Sequence, residues 1–275
     1  MIKNSINVTK TYLPPKKEYL AYIDDIWASN QLTNDGPLVK TLEEKLKDFL
    51  NVEHLYFVSN GTVALQIALK ALDLHGEIIT TPFSYVATTS SIVWEHCKPV
   101  FVDIDPATLC IDPDLIEQAV TPQTKAILPT HVYGIPCDVD KIRTIAEKYK
   151  IKLIYDAAHT FGVKYKDNSL ASYGDISILS FHATKLFHTA EGGALVTKND
   201  TLSHRIKYMR NFGHKGLEDF WGLGINGKNS ELHAAMGLSI LHHINEIIQA
   251  RKQISGWYDQ HLQGSPLTRP ILPEE

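Results

Sequence analysis

Apolar residues recur along the chain in two alternating patterns, which predict strands alternating with helices. Short apolar runs of about four to eight residues indicate strands, and longer stretches repeat their apolar residues at helical spacing. The stretch from Thr62 shows the second pattern, because Leu65, Ala68, Leu69 and Leu72 fall on one helical face. The predicted strands are 55–58, 77–80, 99–103, 125–129, 151–156, 175–180 and 194–197, and the predicted helices include 85–95, 113–120, 139–149 and 237–257. This alternation predicts an α/β fold with a mainly parallel sheet between helical layers.

Several polar residues lie where predicted strands end. Parallel sheets bind ligands beyond the carboxyl ends of their strands, and Asp156, Ser180 and the turn 59–62 all lie at such ends. In that turn Gly61 precedes a helix that begins at Thr62, and the free N–H groups of a helix N-terminus favour an anion such as a phosphate. Taken alone, the turn is more simply explained as a helix cap that contains a glycine.

A lysine follows the strand 175–180. Lys185 ends the sequence Ser-Phe-His-Ala-Thr-Lys and is followed by Glu-Gly-Gly at 191–193. An acid at the end of one strand and a lysine after the next are what a pyridoxal 5′-phosphate (PLP) enzyme requires: the lysine holds the aldehyde as a Schiff base, and the acid keeps the pyridine nitrogen protonated. Two such residues alone more often form an ion pair or a cap. Together with the turn 59–62, they favour the cofactor.

An aromatic cluster, Pro-Phe-Ser-Tyr at 82–85, follows the predicted strand 77–80. An aromatic ring at this edge of the sheet can stack on a flat pyridine ring and exclude water from it. Packing beneath a loop explains the cluster equally well.

Composition narrows the class of protein. The 275 residues suffice for one large domain, or one domain and part of a second. A net charge of −4 argues against nucleic acid or an anionic membrane as the main partner. No stretch has the length of a membrane span, and residues 1–7 lack the apolar core of a signal peptide, so we expect a cytoplasmic protein. The three cysteines and thirteen histidines match no disulfide framework or metal site by spacing.

An ordered set of motifs then carries a resemblance. From about residue 8 to about residue 241 the chain resembles the DegT/DnrJ/EryC1/StrS family of sugar-nucleotide aminotransferases, which are PLP enzymes of fold type I. The motifs are Ser-Asn-Gly-Thr-Val-Ala-Leu (59–65), Phe-Val-Asp-Ile-Asp (101–105), Pro-Thr-His-Val-Tyr-Gly (129–134), Asp-Ala-Ala-His (156–159), Ser-Phe-His-Ala-Thr-Lys (180–185), Glu-Gly-Gly (191–193) and Gly-Ile-Asn-Gly-Lys-Asn-Ser-Glu (224–231). Each motif is weak alone, and the ordered set is specific.

The resemblance implies two catalytic residues. Lys185 would carry the cofactor and move the proton of the amino-acid substrate, and Asp156 would pair with the pyridinium nitrogen. L-Glutamate would donate the amino group and leave as 2-oxoglutarate, and a keto sugar attached to a nucleoside diphosphate would accept it. Some relatives are dehydratases with histidine in place of this lysine, so the lysine favours aminotransfer.

The resemblance also implies the cofactor-binding residues. Gly61, Thr62 and Ser180 would hold the phosphate, and Phe83 would stack on the ring. His159 would approach the 3-hydroxyl, where many relatives have glutamine.

Assembly and domain organisation follow from the same resemblance. Asn226 matches an asparagine that reaches the cofactor phosphate of the neighbouring subunit, which implies a homodimer with shared active sites. The large PLP-binding domain would span residues 1–235, and residues 236–275 would begin a smaller C-terminal domain that is longer in relatives.

The substrate is narrowed by three segments, 80–89, 155–162 and 180–185. They resemble the branch that aminates carbon 4 of dTDP-4-dehydro-6-deoxy-D-glucose for surface polysaccharides. Three alternatives stay open: amination at carbon 3, a PLP-fold protein without catalysis, and another fold-type I enzyme such as an aldolase or dehydratase.

Overall fold

The computed structural model describes residues 8–272. Residues 1–7, where the sequence predicts no signal peptide, and residues 273–275 lie outside this range. The helices are α1 (Lys16–Ser29), α2 (Pro37–Leu50), α3 (Gly61–Ala71), α4 (Val86–Trp94), α5 (Pro113–Ala119), α6 (Val139–Tyr149), α7 (Asp200–Met209), α8 (Glu231–Leu241) and α9 (Ile244–His261). The strands are β1 (His54–Val58), β2 (Glu77–Thr80), β3 (Lys98–Phe101), β4 (Thr124–Ile127), β5 (Lys152–Asp156), β6 (Lys164–Tyr165), β7 (Asn168–Ser169), β8 (Ile176–Ser180) and β9 (Gly193–Thr197).

Seven strands form one sheet in the order β1-β9-β8-β5-β4-β2-β3. The five strands from β8 to β3 are parallel, and β9 runs antiparallel to both of its neighbours. The prediction of a mainly parallel sheet is therefore confirmed. The short hairpin of β6 and β7 was not predicted, because two-residue strands carry no periodic signal.

Helices cover both faces of the sheet, as consecutive residues of β5 show. Ile154 packs into a core with residues of α3 and α7. Leu153 and Tyr155 point to the opposite face and pack into a core with residues of α5 and α6. A third core lies between the sheet and helices α2, α8 and α9. Alternate residues of β5 thus face two different apolar layers, which is why the strand is apolar from Leu153 to Tyr155.

The prediction of one continuous helix over 237–257 is wrong. Helix α8 ends at Leu241 and α9 begins at Ile244. At the junction His243 leaves the helical path, with φ −104° and ψ 5°, and its Nε2 lies 2.9 Å from a carboxylate oxygen of Glu18 in α1. The domain boundary predicted after residue 235 falls inside α8, and the division stays a prediction.

None of the helices within residues 8–272 is both long and apolar enough to cross a membrane.

Candidate active site

A cleft of about 710 Å³ opens at the carboxyl edge of the sheet. It brings together six of the eight predicted site residues, namely Gly61, Thr62, Asp156, His159, Ser180 and Lys185. They come from three separate strand ends, those of β1, β5 and β8. Because these strands run in the same direction across the sheet, their carboxyl ends meet at one edge.

Asp156 is the last residue of β5 and lies on the floor of the cleft, with 5% of its surface exposed. Its Oδ2 accepts a hydrogen bond from the Thr88 hydroxyl at 2.7 Å, and its Oδ1 accepts one from the Ala158 N–H at 3.2 Å. Both donors fix the orientation of the carboxylate.

Lys185 is half-buried in the loop that joins β8 to β9. The loop is closed on itself by backbone bonds, among them Lys185 N–H to His182 C=O and Ala183 N–H to Ala190 C=O, both at 2.8 Å. Burial lowers the pKa of the Lys185 amine, and the charge of Asp156 opposes this shift. Lys185 forms no ion pair within residues 8–272. Its amine is therefore more readily neutral, and more nucleophilic, than that of an ordinary lysine.

His159 lies in the same cleft, three residues after Asp156. Partial burial lowers the pKa of its imidazole, and the positive charge of Lys185 lowers it further, while Asp156 acts in the opposite sense. The ring is thus neutral at pH 7 and offers one donor and one acceptor.

The turn before α3 presents unpaired donors to the cleft. Asn60 caps the helix by accepting the Val63 N–H at 2.8 Å through its side chain. The N–H groups of Gly61 and Thr62 have no acceptor within residues 8–272, and the Ser180 hydroxyl lies beside Gly61, 3.4 Å from where a Cβ on that residue would be. A Cβ on Gly61 would come within 3.1 Å of the Ser180 Cβ, so glycine lets the two segments meet. Such a cradle fits a phosphate.

Gly193 explains why the Glu-Gly-Gly motif accompanies this turn. A Cβ at Gly193 would lie 2.6 Å from the carbonyl carbon of Asn60 and 2.7 Å from the Gly61 nitrogen. The first residue of β9 therefore supports the turn from behind, and only glycine leaves the space that the turn occupies.

Two predicted residues do not lie in the cleft. Phe83 is 41% exposed and packs edge-on against Tyr133, with ring centroids 6.5 Å apart. Asn226 is exposed, and its Oδ1 accepts a hydrogen bond from Lys228 Nζ at 2.6 Å. Phe83 does not line the cleft, whereas Tyr85 does, and ring stacking by Phe83 stays a prediction.

Several residues that line or contact the site were not individually assigned a role from the sequence, among them Tyr85, Thr88, Thr130, His182 and Glu191. Tyr85 belongs to the aromatic cluster 82–85, but the sequence does not show which aromatic side chain of that loop points into the cleft. His182 and Glu191 lie inside the quoted motifs, with His182 Nε2 3.6 Å from Glu191 Oε1. Thr88 carries no local signal, because its partner lies 68 positions away.

One surface cluster within residues 8–272 has the spacing of metal ligands, formed by Glu53, His54 and Asp200. It lies where β1 begins, at the end of that strand opposite Ser59. It is therefore separate from the cleft.

Comparison with known proteins identifies relatives. The sequence profile of the DegT/DnrJ/EryC1/StrS aminotransferase family matches residues 15–275. The dTDP-4-amino-4,6-dideoxy-D-glucose transaminase of Shigella dysenteriae is 48% identical over 272 residues, which make up 99% of this chain and 74% of the relative. A transaminase of the same name from Escherichia coli is 44% identical, over 97% of this chain and 72% of its own length. The crystal structure of DesI in the presence of its TDP-sugar product shares 36% identity and a TM-score of 0.91, covering 95% of this chain and 67% of DesI.

Fold and cleft together define an aminotransferase of fold type I. Within that class, the chain belongs to the DegT/DnrJ/EryC1/StrS aminotransferase family. The expected family, fold type and enzyme class are confirmed. The family and its structural neighbours are PLP-dependent aminotransferases, and the residues of this cleft fit that cofactor: a buried carboxylate, a lysine of lowered pKa and a cradle of free N–H groups meet in one cavity.

Proposed function

We propose that the chain binds PLP in this cleft and transfers the amino group of L-glutamate to a keto sugar carried on dTDP. The observation that carries the proposal is the meeting of Lys185, Asp156 and the turn at Gly61 in one cavity. The close relatives in Shigella dysenteriae and Escherichia coli are dTDP-4-amino-4,6-dideoxy-D-glucose transaminases. We therefore assign dTDP-4-dehydro-6-deoxy-D-glucose as the acceptor and its 4-amino derivative as the product.

Each residue has a distinct task in holding the cofactor. Lys185 Nζ binds the aldehyde, and Asp156 pairs with the pyridine nitrogen. The N–H groups of Gly61 and Thr62, with the hydroxyl of Ser180, bind the phosphate. When bound, PLP supplies an electron sink that stabilises negative charge on the carbon bearing the amino group.

Lys185 and His159 handle protons in this proposal. The lowered pKa of Lys185 favours a neutral amine, which would remove the proton from the amino-acid α carbon and deliver it to the former aldehyde carbon of the cofactor. His159 stays neutral and donates a hydrogen bond toward the 3-hydroxyl of the cofactor. Tyr85, rather than Phe83, is the aromatic residue placed to cover the ring, because it lines the cleft.

A panel of nucleotide-linked keto sugars tests the substrate. Purified protein is incubated with PLP, L-glutamate and 4-keto or 3-keto sugars on dTDP, UDP or GDP. Release of 2-oxoglutarate gives the rate, and NMR of the product gives the carbon that is aminated. We expect the 4-keto-6-deoxy sugar on dTDP to react fastest and to be aminated at carbon 4.

The same panel separates the alternatives. Faster amination of a 3-keto sugar would establish the carbon-3 activity instead. Cofactor binding without turnover of any sugar, and without an absorbance change on addition of glutamate, would favour a PLP-fold protein without catalysis. Sugar products without nitrogen would favour a dehydratase or an aldolase.

We further propose a homodimer in which each cofactor site needs both chains. Asn226 lies outside the cleft of its own chain and is exposed, as a residue that serves a neighbouring subunit would be. Large apolar side chains on the same loop are exposed as well, including Phe220 at 65% and Leu223 at 65%. A second copy would cover such apolar surface.

Complementation tests the shared site. Lys185→Ala and Asn226→Ala chains are each expected to be inactive. If sites are shared, some mixed dimers carry both defects in one site and neither in the other, so mixing restores activity. An active monomer in sedimentation, or no recovery despite proven subunit exchange, would show that each chain builds its own site.

A further inference from the structure

Thr88 makes the shortest hydrogen bond to the Asp156 carboxylate. Its Oγ1 lies 2.7 Å from Asp156 Oδ2, and the residue is fully buried, with 0% exposed. An ionised carboxylate only accepts hydrogen bonds, so the hydroxyl donates. Within residues 8–272, the other hydrogen bond to this carboxylate is the longer one from the Ala158 backbone, at 3.2 Å. Thr88 is thus the one side chain of the described residues that orients Asp156 through a hydrogen bond.

The position of Thr88 in the fold strengthens this contact. Thr88 lies in the first turn of α4, and its N–H donates to the Tyr85 carbonyl at 3.2 Å. Strand β4 separates β2, which precedes α4, from β5, which carries Asp156, so the contact bridges two non-adjacent strands of the sheet. The N-terminal end of a helix carries partial positive charge. The Thr88 hydroxyl therefore reaches the Asp156 carboxylate from the first turn of the helix, where the partial positive charge lies.

We propose that Thr88 is a positioning residue that keeps the Asp156 carboxylate directed at the pyridine nitrogen of the cofactor. This inference rests on the proposed function, because it assigns to Asp156 the role of partner to that nitrogen. Without the hydroxyl, Asp156 is less well oriented and the pyridine nitrogen loses its proton more easily. We expect kcat to fall about 10- to 100-fold, the effect of one hydrogen bond to a charged group. KM for the sugar should change little, because Thr88 is fully buried and does not line the cleft.

Three variants isolate the hydroxyl. Thr88→Val keeps the shape and removes the donor, and Thr88→Ser keeps the donor. The matched control is Ser91→Ala: Ser91 lies in the same helix, is 1% exposed, and its hydroxyl has no hydrogen-bond partner within residues 8–272. The readouts are kcat and the ¹⁵N chemical shift of the pyridine nitrogen in bound, ¹⁵N-labelled PLP, which reports whether that nitrogen is protonated.

We expect Thr88→Val to move the ¹⁵N shift toward the unprotonated value and to lower kcat, Thr88→Ser to restore both, and Ser91→Ala to change neither. In an Asp156→Asn background, Thr88→Val should have almost no further effect, because Thr88 acts through Asp156. If Thr88→Val does not fold, as judged by circular dichroism, Thr88→Ala is compared with Thr88→Ser in the same way.

A wild-type ¹⁵N shift in Thr88→Val, or an equal loss in Ser91→Ala, would overturn the proposal. The proposal would also be overturned if Thr88→Val lowered kcat by the same factor in the Asp156→Asn background as it does in the wild type. Failure of the proposed function is recognised separately: wild-type protein would then not bind labelled PLP, or Asp156→Asn would leave the ¹⁵N shift unchanged.

Discussion

The molecule buries charged side chains in two regions, and it pairs them differently. Beside β1, the guanidinium of Arg210 is 4% exposed and forms ion pairs with Glu43 and, at 3.4 Å, with Asp35. The same guanidinium donates to the Phe57 carbonyl at 3.0 Å, and Glu43 accepts the Phe57 N–H at 2.7 Å. Burial alone would lower the pKa of Arg210, but the two carboxylates outweigh burial and raise it.

In the cleft the charges stay incompletely paired. Asp156 is held by Thr88 and Ala158 but by no cation within residues 8–272. Lys185 is half-buried, and burial lowers its pKa because Asp156 compensates only in part. In the Arg210 cluster the charged groups pair with one another. In the cleft, the Asp156 carboxylate, the Lys185 amine and the N–H groups of Gly61 and Thr62 are left for a ligand. Incomplete pairing of buried charges therefore distinguishes the functional region from the structural one.

The largest expected effect is that of removing the amine. We expect Lys185→Ala to abolish transamination, with kcat lowered at least about a thousandfold, because the loss of a covalent nucleophile removes the reaction path. The release of 2-oxoglutarate from glutamate measures this. Lys185→Arg is the matched control, since it keeps the positive charge and should be equally inactive; near-normal turnover in Lys185→Ala would exclude the assignment.

Asp156→Asn is expected to have the next largest effect on activity. The variant should still bind PLP but lose most of its activity, about 100- to 1,000-fold, because an amide cannot hold the pyridine nitrogen protonated. Cofactor binding is followed by absorbance and turnover by product release. Rates equal to those of the wild type would remove Asp156 from the mechanism.

The Arg210 cluster should instead respond in stability. Arg210→Met leaves the Glu43 carboxylate, whose side chain is 12% exposed, and the partly exposed Asp35 carboxylate without their cation, which is expected to cost about 3–5 kcal/mol of unfolding free energy. Urea unfolding of the cofactor-free protein measures the change. The control is Arg143→Met, which removes an exposed ion pair with Asp140 and should cost less than about 1 kcal/mol. Equal costs for the two variants would contradict the contrast between buried and exposed pairs.

The smallest expected effect is a slight gain in thermal stability when the Lys185 amine is removed. The lowered pKa of Lys185 means that its charge opposes folding at pH values below the folded-state pKa, and that this cost disappears as the pH rises toward the ordinary lysine value. Lys185→Met should therefore leave the melting temperature of the cofactor-free protein unchanged or slightly raised at pH 7, with the difference shrinking at high pH. A marked destabilisation at pH 7 would mean that the lysine is structural.

Local sequence patterns were sufficient for much of the fold and of the site. The seven strands of the main sheet were predicted to within about two residues, because their apolar runs are bounded by polar residues. Asp156, Ser180 and Gly61 could be placed in one cleft because the ends of parallel strands converge. Lys185 lies five residues past such an end, in a loop whose motif was recognised as a whole.

The remaining features depend on tertiary contacts that a linear pattern does not contain. The Thr88 hydroxyl meets Asp156 only after α4 has packed across the sheet. That Tyr85 rather than Phe83 lines the cleft depends on which way a loop residue points, and the break between α8 and α9 depends on contact of His243 with α1. The antiparallel direction of β9 is likewise set by the tight loop Phe181–Gly192, where Phe181 N–H binds the Gly192 carbonyl at 2.8 Å.

Borohydride reduction of the protein with bound PLP tests the central claim most directly. Reduction fixes the cofactor irreversibly to the amine that holds it, and peptide mass spectrometry then identifies the modified lysine. We predict that the cofactor mass is found on the peptide that contains Lys185, at that residue, and that it is absent from Lys185→Arg treated in the same way. Modification of another lysine in its place, or no modification of protein saturated with PLP, would contradict the assignment of this cleft as the active site.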